Sequence, residues 1–193
     1  RSSDLEGRMK IGFFGAQGTG KTALIEAMQA DPYFKHFNVI KSSSRIAKES
    51  GRPINKDAGR LDQLLITVNR CVSDLQTPGH VMSDRTPLDS IAYSLYREMY
   101  QWPDDDVAEY YWATSLGLVQ NIMPKYDRLY YFPVYWLPVA DGVRIADPDY
   151  QKEIDVLMRK VAEDLELKYE TVPDVSVSQR LGWLKAQLEF DSL

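Results

Sequence analysis

Residues 11–22 run from an apolar segment into a glycine-rich turn that ends in Gly-Lys-Thr. The segment 11–14 is short and apolar, as expected of a buried strand. Gly15, Gly18 and Gly20 follow it, and good helix formers continue after the threonine without a gap. This succession constrains the fold more than any other part of the sequence, because it sets one strand, one tight turn and one helix in direct order.

The spacing matches the P-loop pattern GxxxxGK followed by Ser or Thr, from Gly15 to Thr22. In this pattern, backbone N–H groups turn inward on a polyphosphate, and the helix N-terminus adds a favourable dipole. Lys21 reaches the β and γ phosphates and the Thr22 hydroxyl ligates magnesium. The sequence therefore predicts a nucleoside triphosphate site. Its residues are Gly15, Ala16, Gln17, Gly18, Thr19, Gly20, Lys21 and Thr22.

Composition and charge exclude several classes of protein. The 193 residues are 44% hydrophobic and 26% charged, which fits one globular domain. A net charge of -5 gives no broad attraction to nucleic acid or anionic membrane. No apolar run is long enough to cross a bilayer, and Cys71 is expected to be a buried, reduced thiol. We expect a cytoplasmic protein in which residues 1–8 are an expression remnant and residues 9–193 one domain.

Strand and helix patterns alternate along the rest of the chain. Five short apolar segments suit strands, at 11–14, 37–40, 81–84, 128–132 and 169–172. Residues 57–75 predict an amphipathic helix. Its apolar positions are Leu61, Leu64, Leu65, Val68, Cys71, Val72 and Leu75. The alternation predicts a three-layer α/β fold, with a parallel sheet of about five strands and helices on both faces.

Asp84 and Arg85 end the third predicted strand, at the edge where parallel α/β sheets bind ligands. The carboxylate of Asp84 is suited to holding magnesium or to accepting the proton of an acceptor hydroxyl, and Arg85 to neutralising phosphate charge. The alternative is structural: Asp84 caps the next helix and Arg85 forms a surface ion pair.

Further candidates lie in two loops. Arg144 follows a glycine in a lid-like loop near residues 134–147, from which it would reach the transferred phosphoryl group. Tyr135 and Trp136 begin this loop and are candidates for stacking on a base. Ser44 and Arg45 follow the second strand, where they would meet the acceptor.

Three segments resemble the NadR-like, AAA-type P-loop kinases and, more distantly, deoxynucleoside and thymidylate kinases. They are residues 11–24, residues 83–89 (SDRTPLD), and residues 126–133 together with 141–155. The resemblance implies a five-stranded parallel sheet, ATP with Mg²⁺, and phosphoryl transfer to a nucleoside hydroxyl or a nucleotide phosphate. Deoxynucleoside kinases use a carboxylate base after the second strand, where this chain has Lys-Ser-Ser-Ser-Arg. Either Asp84 serves both metal and proton, or the acceptor is a phosphate that Arg45 and Arg85 meet.

The leading hypothesis is therefore a small ATP-dependent kinase with Lys21, Asp84, Arg85 and Arg144 as catalytic residues, and with Thr22 and Asp84 as Mg²⁺ ligands. A second hypothesis changes the acceptor to hydroxymethyluracil in DNA, as in some phage kinases, although the acidic charge disfavours DNA. A third is a nucleotide-dependent switch or ATPase that acts on a partner. The sequence leaves the oligomeric state open, with a homodimer as one arrangement.

Overall fold

The computed structural model describes residues 8–42, 59–102, 107–137 and 147–190. The strands are β1 (Lys10–Phe14), β2 (Phe37–Ile40), β3 (His80–Asp84), β4 (Arg128–Tyr131) and β5 (Glu170–Thr171). The α-helices are α1 (Lys21–Ala30), α2 (Arg60–Gln76), α3 (Pro87–Tyr100), α4 (Ala108–Ile122), α5 (Pro148–Asp164) and α6 (Val177–Phe190). Short 3₁₀ turns at Pro32–Phe34 and Met123–Lys125 follow α1 and α4.

The five strands form one parallel sheet in the order β2-β3-β1-β4-β5. Strand β1 is central, and its Phe13 lies opposite Asp84 of β3 and Tyr130 of β4. The predicted five-stranded parallel sheet is confirmed. Strand β4 ends one residue earlier than predicted, although the Phe132 N–H still donates to the Phe14 carbonyl at 2.9 Å.

Helices cover both faces of the sheet, and β1 shows how the sequence divides between them. Ile11 and Phe13 point to a core shared with α1 and α6. Phe14 points to the opposite core, shared with α2, α3, α4 and α5. All three side chains are fully buried, as expected of a central strand in a doubly covered parallel sheet. The predicted three-layer α/β fold is confirmed.

Helix α2 buries a different face from the one that its apolar residues mark. Leu61 is 68% exposed and Leu75 60% exposed. The buried positions are largely polar, and they are Gln63, Ile66, Thr67, Arg70, Cys71 and Asp74. The physical reason is that Arg70 donates to backbone carbonyls at the ends of β2 and β3, where strand ends leave acceptors without ladder partners.

Cys71 is 3% exposed, as the sequence predicts. Burial, with the neighbouring Asp74, raises the pKa of its thiol to about 11, so the thiol stays protonated at neutral pH. Within the described ranges, no helix is long and apolar enough to cross a membrane.

Candidate active site

The loop between β1 and α1 depends on glycine conformations. Gly15, Gly18 and Gly20 have φ values of 146°, 76° and 90°. A Cβ atom on Gly15 would lie 2.5 Å from the Phe132 carbonyl oxygen, so a larger residue there would displace backbone. The loop leads directly into the N-terminus of α1, which is the arrangement of backbone donors and helix dipole that binds phosphate.

Lys21 turns its side chain into this loop. Its Nζ donates to the carbonyls of Gly15 at 2.7 Å and Ala16 at 2.6 Å, and to the Thr19 hydroxyl at 2.9 Å. The residue is only 5% exposed. The ammonium charge therefore lies at the start of the loop, at the end away from α1.

Thr22 and Asp84 meet beside the loop. Strand β3 pairs with β1, which places Asp84 next to the first turn of α1. The Thr22 hydroxyl donates to Asp84 Oδ2 at 3.1 Å, and Asp84 is 7% exposed. A hydroxyl and a carboxylate at this spacing fit a hard cation such as Mg²⁺, which prefers oxygen ligands. The structure thus brings together the two residues that the sequence predicts as magnesium ligands.

Arg85 occupies a strained turn directly after Asp84. Its φ of 80° is unusual for a residue with a side chain. The guanidinium donates to Asp89 Oδ1 at 3.2 Å and to the Tyr93 hydroxyl at 3.4 Å. Burial opposes the charge, but Tyr93, Asp89 and Asp84 together raise the pKa of Arg85. Such strain is concentrated at functional sites, and here it aims Arg85 along α3.

The cap of α3 is Thr86 rather than Asp84. The Thr86 N–H donates to Asp89 Oδ2 at 2.8 Å, which forms a capping box with the start of the helix. Asp84 is thereby left to face Thr22. The structural alternative for Asp84, a helix cap, does not describe this arrangement.

The remaining predicted residues divide between described and undescribed parts. Ser44, Arg45 and Arg144 lie outside the described residues. The Tyr135 hydroxyl donates to the Val172 carbonyl at 3.0 Å, and Trp136 is 45% exposed. The acceptor role of Ser44, Arg45, Tyr135 and Trp136 and the catalytic role of Arg144 stay predictions.

A family model described as an AAA domain matches residues 10–180, which include the glycine loop, Asp84 and Arg85. The chain belongs to this AAA domain family. No curated protein matches the chain.

Solved structures with the same fold as this AAA domain include two kinases and NadR. A deoxyadenosine kinase from M. mycoides with bound dCMP and dCDP is 13% identical, with a TM-score of 0.68 over 94% of this chain and 98% of that one. NadR in complex with NAD and AMP-PNP is 16% identical, with a TM-score of 0.68 over 96% of this chain and 50% of NadR. Thymidylate kinase from Candida albicans is 14% identical, with a TM-score of 0.66 over 96% and 92%. The predicted family resemblance is confirmed.

Arg180 of the AAA domain is a site residue that the sequence reading missed. It is 1% exposed, and its guanidinium donates to the carbonyls of Thr19 at 3.3 Å and Pro173 at 3.0 Å. The guanidinium also lies 4.7 Å from the centre of the Trp136 ring. Helix α6 thereby braces the phosphate loop from outside. A signal was present, because Arg180 lies one helical turn before the buried Leu184.

Arg70 is a second missed residue. It is 2% exposed, and its NH2 group donates to the Lys41 carbonyl at 2.8 Å and to the Asp84 carbonyl at 2.9 Å. Its NH1 group donates to the Ser83 hydroxyl at 3.0 Å. One guanidinium therefore joins the ends of β2 and β3 and positions Asp84. No sequence signal predicted these contacts of Arg70, since an arginine on a polar helix face is usually exposed to solvent.

Gln17 is predicted to bind phosphate through its backbone N–H, but its carbonyl and its side chain also form hydrogen bonds. Its carbonyl accepts from Gln151 Nε2 at 2.6 Å, and its side-chain Oε1 accepts from the Tyr93 hydroxyl at 2.7 Å. Gln17 is 5% exposed. Two helices, α3 and α5, thus fix the centre of the phosphate loop.

Proposed function

We propose that this AAA domain is a small ATP-dependent kinase that transfers the γ-phosphoryl group of ATP to a nucleoside or nucleotide. The observation that carries the proposal is the Thr22–Asp84 pair, 3.1 Å apart beside a glycine loop that leads into a helix. A loop of this kind binds polyphosphate, and a neighbouring hydroxyl and carboxylate supply oxygen ligands for the metal that accompanies it.

The roles of the residues follow from phosphoryl-transfer chemistry. The N–H groups of residues 15–21 bind the triphosphate, and Thr22 and Asp84 hold Mg²⁺, which when bound neutralises charge on the phosphates. Lys21 and Arg85 stabilise charge on the transferred group. Arg144, proposed from sequence alone, would act as an arginine finger, a role worth about 10³–10⁵-fold in rate.

The chemistry of the acceptor decides whether a base is needed. A hydroxyl acceptor requires a carboxylate to take its proton, and Asp84 is the candidate. A phosphate acceptor requires no base, and Arg85 would meet its charge together with Arg45. The fold is shared with deoxyadenosine kinase and thymidylate kinase, which favours a nucleoside or nucleotide acceptor over a macromolecule.

The test is transfer of label from γ-labelled ATP, with Mg²⁺, to a panel of nucleosides, nucleoside monophosphates, ribosylnicotinamide and hydroxymethyluracil-containing DNA. The proposal predicts a labelled small-molecule product with at least one acceptor. Label retained only on DNA would favour the phage-type kinase. Release of inorganic phosphate that no acceptor stimulates would favour a switch or ATPase, and either result would overturn the proposal.

A further inference from the structure

The side chain of Gln17 poses a hydrogen-bonding problem in the centre of the phosphate loop. The residue is 95% buried, and its Nε2 atom has no hydrogen-bond partner among the described residues. A buried amide N–H without an acceptor destabilises the folded chain. The backbone role predicted for this position does not use the amide, so the cost points to a missing ligand.

The direction of the neighbouring hydrogen bonds shows which atom of the amide is free. Arginine has only donors, so the Tyr93 oxygen accepts from Arg85 at 3.4 Å. The Tyr93 O–H then donates at 2.7 Å to Gln17, where only Oε1 can accept. Because the Tyr93 proton is used in this way, Nε2 keeps two N–H donors that no described residue accepts.

The position of Gln17 in the loop limits which acceptor this is. Lys21 Nζ lies 2.6 Å from the carbonyl oxygen of Ala16, the residue before Gln17. In a P-loop this lysine reaches the β and γ phosphates, so Gln17 flanks the terminal end of the triphosphate. On its other side, Tyr93 and Arg85 connect Gln17 to the end of β3.

We infer that the Gln17 side chain donates an N–H hydrogen bond to an oxygen of the γ-phosphoryl group. This inference rests on the proposed function, and it adds a contact that distinguishes a triphosphate from a diphosphate. Tyr93 is the positioning residue, because its O–H holds Oε1 and so turns Nε2 toward the phosphoryl group. Gln151 holds the backbone of the same residue from α5.

The experiment compares the affinity of AMP-PNP with that of ADP, both with Mg²⁺, in the intact chain. Gln17→Met keeps the length of the side chain and removes the donor. It is expected to weaken AMP-PNP about 10- to 100-fold relative to ADP, the range of one hydrogen bond to a charged group. Tyr93→Phe is expected to give a smaller loss in the same direction. Gln76→Met, at an exposed position of α2, is the matched control.

An equal loss for both nucleotides in Gln17→Met would show a structural role and overturn the inference, as would no change for either. The diphosphate measurement makes the result independent of folding defects, because a misfolded variant loses ADP as well. If the wild-type chain bound neither nucleotide, the donor site of the proposed function would fail, and the inference with it. Wild-type binding with an unchanged ratio in Gln17→Met would overturn the inference alone.

Discussion

The hydroxyl of Thr22 lies 3.1 Å from Asp84 Oδ2, although 62 residues separate the two in sequence. Thr22 lies in the first turn of helix α1 and Asp84 ends strand β3, and the pairing of β1 with β3 brings them together. In the proposed function, this contact supplies two oxygen ligands for Mg²⁺ beside the glycine loop.

Thr22→Val removes the hydroxyl while keeping a β-branched side chain of similar size. We expect the Mg²⁺ concentration that gives the half-maximal rate to rise about tenfold, because the metal loses one ligand or the group that supports it. A Mg²⁺ titration of the transfer rate measures this. Thr77→Val is the control, because it makes the same change at a hydroxyl that caps the end of α2. An unchanged titration in Thr22→Val would remove Thr22 from the metal site.

Arg70→Met should destabilise the protein and lower activity together. The substitution removes the donor of the Lys41 and Asp84 carbonyls, and leaving the buried Asp84 carbonyl unsatisfied costs about 1–3 kcal/mol. Urea unfolding measures the loss. Arg70→Lys keeps the charge but not the planar fork, so we expect only partial recovery. Lys152→Met, at an exposed position of α5, is the control. Wild-type stability in Arg70→Met would contradict the role of Arg70 in joining β2 and β3.

Arg180→Met should weaken ADP and AMP-PNP alike. The Thr19 carbonyl loses its donor from α6, so the loop is less ordered before nucleotide binds. One hydrogen bond of about 1 kcal/mol corresponds to roughly a fivefold loss of affinity. Equilibrium binding of both nucleotides checks the prediction. A selective loss of AMP-PNP would assign Arg180 to the γ-phosphoryl group instead of to the loop.

Asp155→Asn should stabilise the protein more at pH 7 than at pH 4. Burial raises the pKa of Asp155, although Tyr131 and Arg159 oppose the shift. The favourable contribution of the protonated form is therefore complete below the ordinary value of 3.8 and is lost as the pH rises through the higher folded-state pKa. Asparagine keeps an acceptor for the Tyr131 hydroxyl and carries no charge. Urea unfolding at both pH values measures the difference.

The control for that prediction is Asp164→Asn, which removes a charge from an exposed position of the same helix. If Asp155→Asn changed the free energy of unfolding equally at pH 4 and pH 7, ionised Asp155 would not destabilise the folded state, and the prediction would be wrong.

The fold follows from sequence because strand and helix signals are local. The turn at residues 15–20 uses glycines because Gly15, Gly18 and Gly20 have positive φ. The alternation of strand and helix segments favours a parallel sheet. Asp84 could be placed because a parallel sheet brings strand ends to one edge. These features depend on neighbours in sequence or on the general geometry of the fold.

The buried polar contacts were beyond such reasoning. Arg70 lies on a helix face opposite the apolar residues Leu61 and Leu75, so periodicity predicts the wrong buried face. Arg180 reaches the phosphate loop from 161 residues away. Long side chains that pair with backbone carbonyls have no periodic signature, since their partners are set by tertiary packing.

The most direct test of the central claim is the rate of γ-phosphoryl transfer by Lys21→Ala, with the best acceptor from the panel and saturating Mg²⁺. Lys160→Ala, at an exposed position of α5, is the matched control. The kinase assignment predicts a fall of at least about 100-fold in Lys21→Ala, because charge stabilisation of the transferred group is lost, and no change in the control. Wild-type transfer by a folded Lys21→Ala would contradict the assignment of this loop as the ATP site.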